Sequence, residues 1–237
     1  MSALPKIDHP LFNIEVPSLK KQFKFRPFLV REEKILLMAK ESENLSDILI
    51  AIKQIVNNCK IDRKLDINKL ALFDLEYIFL KLRSVSVDNT IKVSYNDNQD
   101  NKNYDFVIDI NDVKIKYPEK TDNNITITDT SGILMKYPSA TLYEDKEFLN
   151  LEKDQLFELI VRCVDKIYSG EEIYNSIEYK KEDIVEFLEN LSVKTFEKIQ
   201  TFLMNTPKLE YKINYKNELG NDREIILSSL SDFFTWQ

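Results

Sequence analysis

The sequence predicts an α+β fold: a helical core with an N-terminal β-hairpin, an inserted small antiparallel β unit and a C-terminal β-hairpin. Three observations predict it. Stretches near both ends and in the middle alternate apolar and polar residues with the period of a half-buried strand. Leu45, Ile48, Leu49, Ile52, Ile55, Val56 and Cys59 fall at alternating three- and four-residue spacing, one face of a helix. Residues 67–83 are apolar on nearly every side, the mark of a helix covered by its neighbours or by a partner.

In chain order, residues 11–16 alternate as a strand, Pro17-Ser18 turns the chain, and residues 20–26 return as the hairpin partner. Phe23 and Phe25 alternate with Lys24 and Arg26, and Pro27, which lacks a ladder donor, ends the strand. Arg31-Glu32-Glu33 opens a first helix, with Ile35, Met38 and Ala39 on one side. The amphipathic helix at about 45–60 follows. A third helix then runs over about 67–83, with Asp66 as its N-cap. Residues 91–95 and 104–110 are strands around the polar stretch Asn96 to Asn103, which reads as an exposed tip. Residues 113–117 and 124–128 are strand-like, and Thr130-Ser131-Gly132 turns into Ile133-Leu134-Met135.

Beyond Pro138 the helical period returns over 152–168, where Leu156, Ile160, Cys163 and Ile167 form a stripe flanked by Phe157, Val161, Val164 and Tyr168. Shorter helices follow at about 181–190 and 192–204, the second capped by Ser192 and closed by Pro207. A hairpin of 209–215 and 223–227 ends in the aromatic tail Phe233, Phe234 and Trp236. These elements divide the chain into 1–85 (hairpin and three helices), 86–140 (inserted β unit), 141–206 (helices completing the core) and 207–237 (hairpin and tail).

The 237 residues are 43% hydrophobic, enough for a sizeable core, and the net charge is −7. Acidity argues against general nucleic-acid binding. The charge is uneven: residues 1–40 hold eight Lys/Arg against four Asp/Glu, a net +4 that suits either a solvated face or an arm for an acidic partner. Cys59 and Cys163 sit on apolar helix stripes and read as core residues in a reducing compartment. With no secretory leader and no long apolar run, the expectation is a soluble cytosolic protein that meets no membrane. Three glycines leave no room for a Gly-rich phosphate loop.

Chemistry is sparse. His9 is the only histidine and stands beside Pro10, away from any nucleophile signature. Asp105 and Asp109 share a strand face, with Asp112 and Asp129 further on, and a carboxylate-dependent metalloenzyme would have to use them. The solvent face of a hairpin alternates in the same way, and Lys114 and Lys116 oppose a cation there. No catalytic, cofactor or metal residue is assigned.

Phe25-Arg26-Pro27-Phe28 followed by Glu32-Glu33-Lys34-Ile35-Leu36-Leu37, with the opening Leu4-Pro5-Lys6-Ile7 and the ending Leu230-Ser231-Asp232-Phe233-Phe234, resembles the baseplate hub assembly proteins of T-even-type tailed phages. The resemblance implies a non-enzymatic hub subunit or assembly chaperone. Its partners would be other baseplate hub or tail proteins. It would work in the host cytoplasm during assembly, with the virion baseplate as a possible final location. Some relatives in that family carry cysteines in hairpin knuckles. Here the knuckles read Asn96-Asp97-Asn98-Gln99 and Glu218-Leu219-Gly220-Asn221, with no zinc ligand set. Without the resemblance, a cytosolic adaptor with no phage role fits the same residues. The partner-binding candidates are Phe233, Phe234, Trp236, Arg26 and Lys24, because aromatic residues and arginine dominate interface energy. The tail could instead fold back on the core, and oligomeric state stays open.

Overall fold

The structure, a computed structural model, describes residues 7–42, 44–119, 122–151 and 154–233. In chain order the elements are β1 (Phe12–Val16), β2 (Lys21–Phe25), α1 (Val30–Glu41), α2 (Leu45–Cys59), α3 (Leu72–Ser86), β3 (Thr90–Asp97), β4 (Lys102–Asp109) and β5 (Lys114–Lys116). They continue as β6 (Asn124–Thr126), β7 (Ser131–Met135), α4 (Lys146–Leu149), α5 (Gln155–Cys163), β8 (Val164–Ser169) and β9 (Glu172–Asn175). The last are α6 (Lys181–Glu189), α7 (Val193–Met204), β10 (Lys208–Lys216), β11 (Asp222–Leu227) and α8 (Leu230–Phe233). The fold is α+β, with β-hairpins at the N- and C-terminal ends of the described chain.

Contacts group the chain into two compact units: a first made of the described residues up to Lys116 together with those from Lys208, and a second spanning 117–207. The strands expected as one inserted unit are thereby shared out, β3 to β5 in the first unit and β6 and β7 in the second. The helices of 28–85 and of 141–205 likewise lie in different units. The physical reason is pairing: β5 joins β10 and β11, whereas β7 pairs with a strand further along, β8.

In the first unit, β1 and β2 pair antiparallel with Ile14 opposite Phe23, as the alternation predicts. Arg26 N–H donates to the Cys59 carbonyl and Ile61 N–H to the Lys24 carbonyl, both at 2.9 Å, which ties β2 to the end of α2. The helix predicted over 67–83 is a 3₁₀ turn at Ile67–Lys69, capped by Asp66, followed by α3. Its nearly continuous apolar surface is covered within the unit by α2, β1, β10 and the turn Ile110–Asp112. Leu75, Ile78, Phe79, Leu80 and Leu82 are accordingly fully buried. α1 departs from expectation. Its buried residues are Glu32 and Leu36, while Met38 lies outward.

In the second unit, the sheet runs β6-β7-β8-β9, all antiparallel. Ile133, Ile160, Val164, Leu188, Ile199 and Phe202 form the centre of its core. Here the predicted helix 152–168 is corrected. It ends at Cys163, and Val164–Ser169 is a strand paired with both β7 and β9. Val164, Ile167 and Tyr168 satisfy a helical spacing, but β-branched and aromatic residues fit a pleated surface better. Gly170-Glu171 then supplies the hairpin turn, with Gly170 at φ +63°.

Candidate docking surfaces

Arg26 is corrected as a partner-binding residue, because it is spent inside the first unit. Its Nη2 donates to Glu32 Oε1 at 2.9 Å and its Nη1 to Glu32 Oε2 at 3.1 Å, a bidentate pair. Further bonds run from Nη2 to the Asn58 carbonyl and from Nη1 to the Pro27 carbonyl, both at 2.9 Å. Glu32 also accepts from the Leu29 amide at 2.9 Å and from Arg31 Nε at 2.8 Å. Burial alone would raise the Glu32 carboxyl, but the bonds from Arg26, the Leu29 amide and Arg31 outweigh it and bring it down to about 2. The neighbouring Cys59 thiol is pushed up to about 12 by burial, against the pull of Arg26, and is chemically inert. Burial does the same to Cys163, also up to about 12.

Lys24 is exposed; its backbone amide donates to Asp62 Oδ2 at 2.7 Å and its carbonyl accepts from the Ile61 amide. Phe233 is corrected too. It is 1% exposed, part of the core beside Leu230. α8 is held by Ser228 and Ser229 amides donating to Asp232 at 2.8 and 2.9 Å, and by the Leu230 amide donating to Glu76. Burial, reinforced by Asp232 and opposed by the Leu230 amide, lifts the Glu76 carboxyl to about 7. Phe234 and Trp236 lie outside the described residues.

The polar tip 96–103 is exposed over most of its length, as read, but it is also a joint. Asp97 is fully buried and accepts from the Gln99 amide at 2.8 Å, Tyr215 Oη at 2.7 Å and Arg223 Nε at 3.0 Å. Asn217 and Asn221 each donate to Gln99 at 3.1 Å, and the Glu218 amide donates to Tyr104 Oη at 2.7 Å. The tip carries no apolar residue, yet its carboxylates and amides match the polar knuckle of the C-terminal hairpin.

Asp105 and Asp109 are each engaged locally: Asp105 accepts from Ser94 Oγ at 2.5 Å, and Asp109 from the Asn111 amide at 2.8 Å. Among the described residues, no group of three or more His, Cys, Asp or Glu is placed to hold a metal ion. No helix among them is long and apolar enough to cross a membrane.

Two surfaces were not singled out from the sequence. On α1, Val30, Leu37 and Met38 are 74%, 51% and 71% exposed, and with Lys34 they form one outward face at i, i+4, i+7 and i+8. The periodicity was readable there, but only packing shows that this side faces out. In the second unit, a groove of about 570 Å³ lies between the β8–β9 hairpin and α6, walled by Ile167, Tyr174, Tyr179, Ile184, Phe187 and Leu191. Its rim is acidic. Asp183 lines it, and Tyr174 Oη donates to Glu172 on the hairpin side. The available signal was charge: residues 171–190 hold seven Asp/Glu and two Lys, net −5. Of those lysines, Lys181 is paired to Glu158 at 2.6 Å.

A family model described as T4 bacteriophage base plate protein matches residues 9–235, which takes in both units. No curated protein and no solved structure matches the chain.

Proposed function

The chain belongs to the T4 bacteriophage base plate protein family, and from that premise we propose that it acts without catalysis, building the central hub of the baseplate by docking on other tail proteins. The observation that carries the docking reading is the outward apolar face of α1. Three large apolar side chains at one-helix-face spacing, more than half exposed, form a surface of the kind that partners cover. Lys34 stands within it, in keeping with the net +4 of residues 1–40 and with an acidic partner. In this reading the protein works in the host cytoplasm while the baseplate forms, as an assembly factor or as a hub subunit.

The test is affinity purification from infected cells, wild type against Leu37→Glu with Met38→Glu. Both positions are exposed, so the variant keeps its far-UV circular dichroism. The wild type is expected to bring down other tail proteins and the variant to lose them. Equal recovery by both would overturn α1 as the docking face. Comparing assembly intermediates with finished particles then separates an assembly factor from a hub subunit.

A further inference from the structure

We propose that the α1 face docks in the second-unit groove of another copy of this chain, so that the protein self-associates through two different surfaces. The proposal rests on the docking reading above and names its partner.

Three properties match. The first is shape. A helix presenting anchors at i, i+7 and i+8 spreads them over about 12 Å of its axis, given ~1.5 Å of rise per residue. The groove between α6 and the β8–β9 hairpin offers apolar and aromatic walls for such anchors, with Tyr174 and Tyr179 in edge-on contact at 6.2 Å. The second is charge. Lys34 sits between Val30 and Leu37 on the outward face of α1; Arg31, paired to Glu32, and Glu33 flank that face on either side, and Glu41 stands at its far end. On the groove's side, Asp183 lines it, Glu172 accepts from the lining Tyr174, and Glu186 stands one turn along α6 from Asp183. Glu186 is exposed and forms no ion pair among the described residues. The third is availability. The other basic, apolar stretch, 20–28, has Phe25 and Phe28 buried in its own unit, so it has no anchor to offer. α1 has three.

The spans carry the same asymmetry. Residues 117–207 hold ten Lys/Arg against eighteen Asp/Glu, net −8, which leaves +1 of the chain's −7 for the rest. An interface that pairs two unlike surfaces predicts a rescue that a face packing on its own copy does not give.

The experiment is sedimentation velocity of the full chain over a concentration series. Two variants are compared, Lys34→Glu and the pair Glu172→Lys with Glu186→Lys; all three positions are exposed. Wild type is expected to associate reversibly, and each variant alone to associate at least about tenfold more weakly, because like charges then face each other. Mixing the two variants lets an acidic α1 meet a basic groove, and association should return to near the wild-type level. Met38→Glu, which removes an anchor, should not be rescued by either partner. A chain monomeric at every concentration would overturn the proposal. So would association untouched by either charge reversal, or a mixture that stays dissociated. If self-association fails while Leu37→Glu with Met38→Glu still loses tail proteins in infected cells, the docking reading stands with a different partner.

Discussion

The two units differ in what holds them together. In the first, decisive contacts are polar and most are long-range: Arg26 with its neighbour Glu32 and the distant Asn58 carbonyl, Ser18 with Asp74 at 2.5 and 2.8 Å, and Asp97 with Tyr215 and Arg223. The last of these joins segments 118 and 126 residues apart in the chain. The second unit is continuous in sequence, and its centre is an apolar cluster under one sheet face. A unit assembled from two distant pieces of chain faces a register problem that apolar contacts alone solve poorly, since they are non-directional. Buried hydrogen-bonded groups have directions and specify which piece sits where. The continuous unit buries the Glu158 carboxylate, paired to Arg162 and Lys181, and carries most of the chain's negative charge, net −8 over 117–207.

The largest expected effect tests that contrast at its polar end. Glu32→Ala leaves the Arg26 guanidinium buried without its carboxylate, a loss of ~3–5 kcal/mol. Denaturant unfolding measures it, and hydrogen exchange should rise in β1, β2 and the end of α2 while α5 and α7 stay protected. The pH dependence has a defined sign. The Glu32 carboxyl is depressed to about 2, so its stabilisation is present above the ordinary carboxylate value and is lost as pH falls from ~4 toward 2. Glu76 works the other way. Its carboxyl is raised to about 7, so stability declines as pH climbs from ~4 to about 7. Glu32→Ala should flatten the acid side of the stability profile, and Glu76→Gln the neutral side.

Next in size is the tip joint. Replacing Asn98–Lys102 by a two-residue turn removes the bonds of Gln99 to Asn217 and Asn221 and of Asp100 to Tyr104. The melting temperature should fall by roughly 4–8 °C, given ~2–4 °C per kcal/mol in a chain this size. Exchange should increase in β10 and β11 as well as in β3 and β4. A neutral result would mean that the joint is a surface contact and that the first unit is held by its apolar core alone.

Those two sites also show where the sequence was legible. The hairpins, α2, α6, α7 and the cap at Ser192 follow from local periodicity and local hydrogen-bonding chemistry; Asp66 caps too, but a 3₁₀ turn rather than α3. The tip did not, because a string of Asn, Asp and Gln looks the same whether water or a matching knuckle 118 residues away satisfies it. α1 misled because Glu32 occupies an inward position that hydrophobic pattern assigns to an apolar residue; only Arg26 makes it tolerable. β8 misled because Val164, Ile167 and Tyr168 fit both periods, and pairing with β7 and β9 decided between them. Of the docking candidates, Lys24 is exposed, while Arg26 and Phe233 turned inward for reasons no local pattern carries.

In the second unit, Gly132→Ala probes the sheet. A Cβ at Gly132 would collide with the Tyr168 hydroxyl and lie 2.8 Å from the Ile125 carbonyl oxygen. The phenol can swing away, but the backbone of β6 must shift, at a cost of ~1–3 kcal/mol. Tyr168→Ala combined with Gly132→Ala should recover part of the loss, which a double-mutant cycle reads directly.

The smallest effect is the most discriminating for the comparison. Ser192 Oγ accepts from the Thr195 amide at 3.2 Å and caps α7. Ser192→Ala should cost ~1 kcal/mol, and Ser192→Asp should cost little, since a carboxylate caps as well and suits the positive end of the helix. The cost stays small only if α7 is held by its buried face, where Ile199, Phe202 and Leu203 enter the core. Isolated twelve-residue helices are marginal in water, so this helix depends on that packing more than on its cap. Were Ser192→Ala to cost much more than ~2 kcal/mol, the upper end for a cap, α7 would be leaning on a directional polar contact. The second unit would then be built on the same principle as the first.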